Sequence, residues 1–129
     1  MDQSRGITVR RTFDQAGFVQ AIGYPAGFVL AKEAWLFVAE ENGQAVGGFG
    51  LLPRPAGWLE LHTELQLRGL KAIEAYRELE KLLIGLKVKM LGSFVTTENK
   101  KAMHFAARIG FKRIGQTDAG VLYSKALVW

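Results

Sequence analysis

Cysteine is absent from the chain of 129 residues. That excludes disulfide bridges, thiolate zinc sites and a cysteine nucleophile, and it fits a reducing compartment. Long hydrophobic runs are also missing. The longest, such as Leu82-Leu83-Ile84-Gly85-Leu86, fall well short of the ~20 apolar residues needed to cross a bilayer. The first residues, Met1 to Arg5, lack the apolar core of a secretory signal. The expectation is a cytoplasmic chain with no membrane partner. There is no linker, internal repeat or low-complexity stretch, and the length suits a single domain over residues 1–129. Apolar residues make up 49% and charged residues 22%, which places the chain with globular proteins rather than with disordered or fibrous ones.

The net charge of +5 is unevenly spread. Residues 68–113 hold 11 Lys and Arg against four Glu, a net of +7, and the remainder of the chain is slightly acidic. A basic half points to an anionic partner, either a phosphorylated cofactor or nucleic acid, although solvated faces of two helices would give the same count.

Hydrophobic spacing gives an alternating order of elements. Ile7 to Thr12 alternates like a half-buried strand, and Thr12 or Asp14 is placed to cap a short helix ending near Ile22, before Gly23-Tyr24-Pro25. Trp35–Glu40 and Gln44–Leu52 are strand-like runs around Asn42-Gly43, a strong hairpin signal because both residues tolerate positive φ. Pro53 to Gly57 is a turn, and alternation resumes from Trp58 to Leu65. One face of that strand carries Trp58, Glu60, His62 and Glu64. The other, with Leu59, Leu61 and Leu65, is expected to be buried. Helical spacing runs from Gly69 to Gly85, with Gly85 as the C-terminal cap. Val88–Val95 reads as a buried strand, Thr96 or Thr97 as the cap of a helix from Glu98 to Ile109, and Phe111–Gln116 and Val121–Val128 as strands about a turn at Asp118-Ala119-Gly120. Such an order implies an α/β (α+β) domain, a mixed sheet with helices packed on its faces. Trp35, Phe37, Phe49, Phe94, Phe105 and Phe111 are expected to build the core.

A strand that passes through Gln66-Leu67-Arg68-Gly69 directly into a helix leaves several backbone N–H groups unpaired where the helix dipole is positive. Gly69 permits close approach of a ligand, and Arg68 and Lys71 add cations. The segment is therefore suited to a pyrophosphate, though a plain turn decorated with cations would look the same.

The element order together with Glu98-Asn99-Lys100-Lys101-Ala102 and the residues on to Gly110-Phe111 resembles the GNAT acyltransferases, over roughly residues 7–125. The family's loop pattern, Gln/Arg-x-x-Gly-x-Gly/Ala, is met by Gln66 and Gly69 with Arg68 beside it. Lys71 stands in place of the usual small residue. Its helix pattern, Asn-x-x-Ala-x-x-(Leu/Phe)-Tyr-x-(Lys/Arg)-x-Gly-Phe, is met by Asn99, Ala102, Phe105, Arg108, Gly110 and Phe111, with Ala106 at the tyrosine position. The resemblance implies the GNAT fold, a mostly antiparallel twisted sheet of about six or seven strands flanked by three or four helices. It also implies binding of acetyl-CoA or coenzyme A, with the pyrophosphate on the backbone of Gln66, Leu67, Arg68, Gly69, Leu70, Lys71 and Ala72. Asn99 would bond the pantetheine arm, and Ala102 and Phe105 would line its groove. The implied reaction is transfer of an acetyl or short acyl group to an amine by direct attack, with no protein nucleophile.

Such a reaction needs a base for the ammonium. Glu60, His62 and Glu64 share a strand face, and His62 is the first choice because a free imidazole titrates near ~6.5. A histidine satisfied by adjacent carboxylates is the competing reading. Since many relatives use the missing tyrosine as the acid, a catalytically inactive GNAT-fold structural or binding module remains the alternative, regulatory or part of a phage particle; small size and the run Leu59-Glu60-Leu61-His62 also resemble phage-encoded members. A small basic nucleic-acid binder ranks last, because no recognition motif accompanies the charge. The short connection around Pro25–Ala34 implies an open site and an exposed or macromolecular amine. The apolar end Ala126-Leu127-Val128-Trp129 raises a homodimer as a further expectation.

Overall fold

The computed structural model describes residues 6–22 and 33–127. The calls on Gly23-Tyr24-Pro25, on most of the connection before Ala34, and on Val128 and Trp129 lie outside them. Eleven elements follow in order among the described residues. They are β1 (Ile7–Thr12), α1 (Gln15–Ile22), β2 (Trp35–Glu41), β3 (Gln44–Pro53), a single 3-10 turn (Pro55–Gly57), β4 (Leu59–Leu65), α2 (Leu70–Gly85), β5 (Met90–Thr96), α3 (Lys100–Arg108), β6 (Lys112–Gln116) and β7 (Gly120–Ala126). No helix among the described residues is long and apolar enough to cross a membrane.

The seven strands form one sheet in the order β1-β2-β3-β4-β5-β7-β6. Every pairing is antiparallel except β4 with β5, which are parallel because α2 carries the chain back across the sheet. The β2–β3 hairpin closes at Asn42 and Gly43, both at positive φ (54° and 81°), as the Asn-Gly signal requires.

The two faces of the sheet are covered unequally. Phe37, Phe49, Leu51, Leu59, Leu61 and Leu91 face α2 and α3 and form the main core with Tyr76, Leu79, Leu83, Ala106 and Ile109. Tyr76 meets the Phe111 ring edge-on at 6.1 Å. On the opposite face, Leu36 and Val38 meet Phe18 of α1 in a smaller cluster. Thus β4 buries Leu59 and Leu61 and turns Glu60, His62 and Glu64 to the other side, as its alternation predicts.

Lys125 of β7 ties the helices to the sheet. Its Nζ lies 2.5 Å from Glu80 of α2, donates to the Ile109 carbonyl at the end of α3 at 2.7 Å, and stands 5.1 Å from the Tyr76 ring centre. Burial, and then the neighbouring Glu80, pushes the Tyr76 phenol far above its ordinary range and keeps it neutral.

Several boundaries differ from those expected. Gly85 is the last residue of α2 and not its cap: the cap is Leu86, and the left-handed conformation falls on Lys87 (φ 67°). Strand β5 accordingly starts at Met90 rather than Val88, whose N–H donates back to the Leu83 carbonyl. Neither Thr96 nor Thr97 caps α3. Thr97 Oγ1 donates to the Ala119 carbonyl, and Asn99 is the cap, so α3 begins at Lys100. Strand β7 ends at Ala126, and Leu127 folds back into the main core with its N–H on the Lys89 carbonyl. Phe94 is not a core residue. It lies on the sheet face opposite α2 and is 43% exposed.

Leu79 is fully buried between α2 and the sheet. Leu79→Ala should lower unfolding free energy by about 2–5 kcal/mol, read from the midpoint of a urea titration at unchanged slope.

Candidate active site at the split between the parallel strands

Strands β4 and β5 are joined by only two residue pairs, Leu59 with Leu91 and Glu60 with Gly92, and then part. Antiparallel partners hold their outer edges, β3 for β4 and β7 for β5, so the divergence opens a wedge in the middle of the sheet. Its cavity is about 350 Å³.

The walls come from both sides of the sheet. Leu61, Thr63, Ser93 and Val95 face α3, which adds Asn99, Ala102, Phe105 and Ala106. His62, Glu64, Phe94 and Thr96 also line the cavity, and by strand alternation they belong to the opposite face. The wedge therefore communicates with both faces.

Its rim is backbone. The Gln66 N–H donates to Val46 of β3 at 2.8 Å, so the even-numbered main-chain groups of β4 face β3 and those of Leu61, Thr63 and Leu65 face the wedge. Ser93 Oγ donates to the Leu61 carbonyl at 3.4 Å across the start of the opening. The β4 strand edge beyond it is suited to an extended ligand carrying amide groups.

The residues named from sequence do not all meet. His62, Glu64, Asn99, Ala102 and Phe105 surround the one cavity. Glu60 lies at the last bonded pair, outside the lining, and both its carboxylate oxygens are engaged. Oε1 accepts from Arg54 Nε at 2.6 Å, and Oε2 lies 2.9 Å from His62 Nε2. That arrangement suits Glu60 to holding the imidazole rather than to taking a proton from substrate. Gln66 to Ala72 do not line the cavity either; they follow β4 and open α2. Gly69, at φ 59°, is the N-cap and has no side chain to satisfy the first amides of α2, which an α-helix leaves unpaired. Lys71 is turned aside, its Nζ 2.6 Å from Glu41 at the end of β2. Arg68 is exposed. These residues offer amide donors and a nearby cation to an anion without a side chain in the way, so the donor set fits a pyrophosphate joined to an arm in the wedge.

Asn99 has a structural task as well. Its Oδ1 accepts the Ala102 N–H at 3.1 Å, which leaves its amide N–H₂ group as the part able to serve a ligand. Ala106 is buried in the cavity wall and carries no acid. Tyr123 is buried and absent from that wall, and His104 is exposed on α3. Sequence reasoning missed Thr63, Ser93 and Thr96 as cavity residues; the parity of β5 relative to β4 is set by the Glu60–Gly92 pair, for which the sequence carries no local signal.

No protein-family model and no curated protein matches the sequence. Solved structures do match. A putative GNAT-family acetyltransferase from Desulfovibrio desulfuricans has a TM-score of 0.68 at 14% identity, over 95% of this chain and 100% of its own. The fold is that of the GNAT N-acetyltransferases. Campylobacter jejuni PseH, an N-acetyltransferase solved with acetyl coenzyme A, gives 0.64 at 16% identity over 76% of this chain and 71% of that one. A ribosomal-protein-alanine N-acetyltransferase from Brucella melitensis gives 0.60 at 23% identity over 73% and 69%. The GNAT-like arrangement is a sheet of seven strands, as expected, flanked by three helices among the described residues.

The two tasks of Asn99 are separable. Asn99→Ala should cost about 1 kcal/mol of stability through loss of the cap, whereas Asn99→Asp should keep it, as denaturant titration of the two variants without ligand will show.

Proposed function

We propose that the chain transfers an acetyl or short acyl group from coenzyme A to an amine. The observation that carries this is the wedge between β4 and β5, edged by backbone amides and followed by the uncapped start of α2. The shared fold with N-acetyltransferases, one of them solved with acetyl coenzyme A, supports it.

Bound acetyl coenzyme A supplies a thioester carbonyl and a thiolate leaving group. In this reading the amides of Arg68 to Ala72 hold the pyrophosphate, with Gln66, Leu67 and the Arg68 side chain beside it. The β4 edge and the Asn99 amide hold the pantetheine arm, and Ala102 and Phe105 form its apolar wall. His62 accepts a proton from the substrate ammonium, its ring oriented by Glu60, which Arg54 clamps in turn. The free amine attacks, a C–N bond forms as the C–S bond breaks, and the second proton on nitrogen balances the thiolate. With alanine at 106, solvent in the open wedge carries that proton.

Calorimetric titration with acetyl coenzyme A should give a binding isotherm, and release of free thiol should follow addition of amines. The absence of both heat and a thermal shift at millimolar ligand would sink the reading. His62→Ala should lower kcat by about 10²–10⁴-fold with cofactor affinity unchanged. Binding without thiol release across an amine panel would instead favour a non-catalytic coenzyme A binder, the reading that Ala106 supports.

A further inference from the structure

Opposite α2 and α3, the sheet face beside the wedge is apolar and is left partly exposed by the described residues. Phe94 is 43% exposed and Leu122, its partner on β7, is 37% exposed. The backbone beneath is shaped to seat rings on this face. A Cβ at Gly92 would come 2.5 Å from the Trp58 ring, and one at Gly120 2.7 Å from the Phe94 ring, so each aromatic lies over a glycine. Phe94 also lines the wedge, which makes the strip continuous with the reacting centre.

Glu64 is the only carboxylate among the residues that line the cavity. Glu60 is neutralised by Arg54, but Glu64 lines the cavity and forms no ion pair among the described residues. Strands β5 and β7 add no Lys or Arg to this face, only Met90, Gly92, Phe94 and Thr96 and then Gly120, Leu122, Ser124 and Ala126. A carboxylate at one end of an apolar strip is complementary to a cation on an apolar body.

We propose that this face selects the acceptor, a primary amine borne on an aromatic group, with the ammonium held at Glu64 and the ring laid on Phe94 and Leu122. The proposal rests on the acyl-transfer reading and names its substrate class. It replaces the exposed macromolecular amine expected from the short connection before β2.

The test compares 2-phenylethylamine with ethylamine, ethanolamine and spermidine at saturating acetyl coenzyme A. The aromatic amine should show kcat/KM about tenfold or more above ethylamine, and Phe94→Ser should remove most of that ratio. Glu64→Gln should weaken both amines alike. Because Phe94 is partly exposed the variant should fold; Leu122→Ser provides a second, independent reduction of the ratio. Equal or better use of the polar amines, or a ratio unmoved by both variants, overturns the proposal. If acetyl coenzyme A does not bind, the acyl-transfer reading fails separately, and the platform is then decided by whether 2-phenylethylamine, but not ethylamine, perturbs the Trp58 indole N–H resonance. A concentration-dependent dimer abolished by Phe94→Ser would overturn it too, since the strip would then be an interface between two copies.

Discussion

The parallel contact between β4 and β5 is short, and the rest of the molecule depends on where it stops. Leu59 and Leu91 are closed on one face by the α2 core, while Trp58 lies on Gly92 on the other, so the strands are pinned at one end. Past Gly92 no ladder pair joins them, and only the Ser93 hydroxyl reaches across to the Leu61 carbonyl among the described residues. Each strand follows its antiparallel partner, and α3 packs Ala106 and Ile109 against the main core behind the opening. Unpaired backbone groups in a dry interior would cost several kcal/mol, but in an open wedge water satisfies them until a ligand does. A gap in the ladder is thus tolerated at the position where a ligand with its own amides could complete it.

Charge is arranged around that gap in pairs that leave particular groups available. Lys71 is drawn to Glu41 and Lys125 to Glu80 and the α3 terminus, so one cation of the basic half and one of β7 serve the scaffold. The exposed pairs contribute little to stability, because solvent screens them. Their effect is directional: with the Lys71 side chain held aside, the amides at the start of α2 remain open. Arg54 does the same for Glu60, which leaves Glu64 as the carboxylate facing the wedge.

Much of this was legible in the sequence where a local rule had no competitor. Asn42-Gly43 specified the hairpin because few residue pairs accept positive φ twice. The spacing from Leu70 to Leu83 specified α2, and alternation from Leu59 to Leu65 assigned each β4 side chain to a face. The misreadings fall where two local choices competed. Thr96, Thr97 and Asn99 all suit a cap, and the one that caps is decided by where Thr97 finds the Ala119 carbonyl across the β6–β7 turn. Gly85 looked like a helix end, yet the chain turned two residues later, with Val88 bonded back to Leu83. The sequence alone puts Phe94 in the core, because aromatic residues in strands usually lie there. Its face is set by the register of β5 against β4 and β7, which is a long-range property.

The sequence by itself determined the order of elements, the polarity of each strand face and the supply of candidate groups, because these follow from periodicities of two and 3.6 residues and from turn chemistry within a few positions. It also offered the two segments, Gln66–Ala72 and Asn99–Phe111, that suggest a coenzyme A site. Only the tertiary structure decided that β4 and β5 part after two pairs, that His62 and Glu64 share one cavity with Asn99, Ala102 and Phe105, that Glu60 is tied to Arg54 instead, and that Phe94 looks outward beside them. Those outcomes depend on contacts between residues tens of positions apart, and no local pattern encodes where two strands held by different partners will separate.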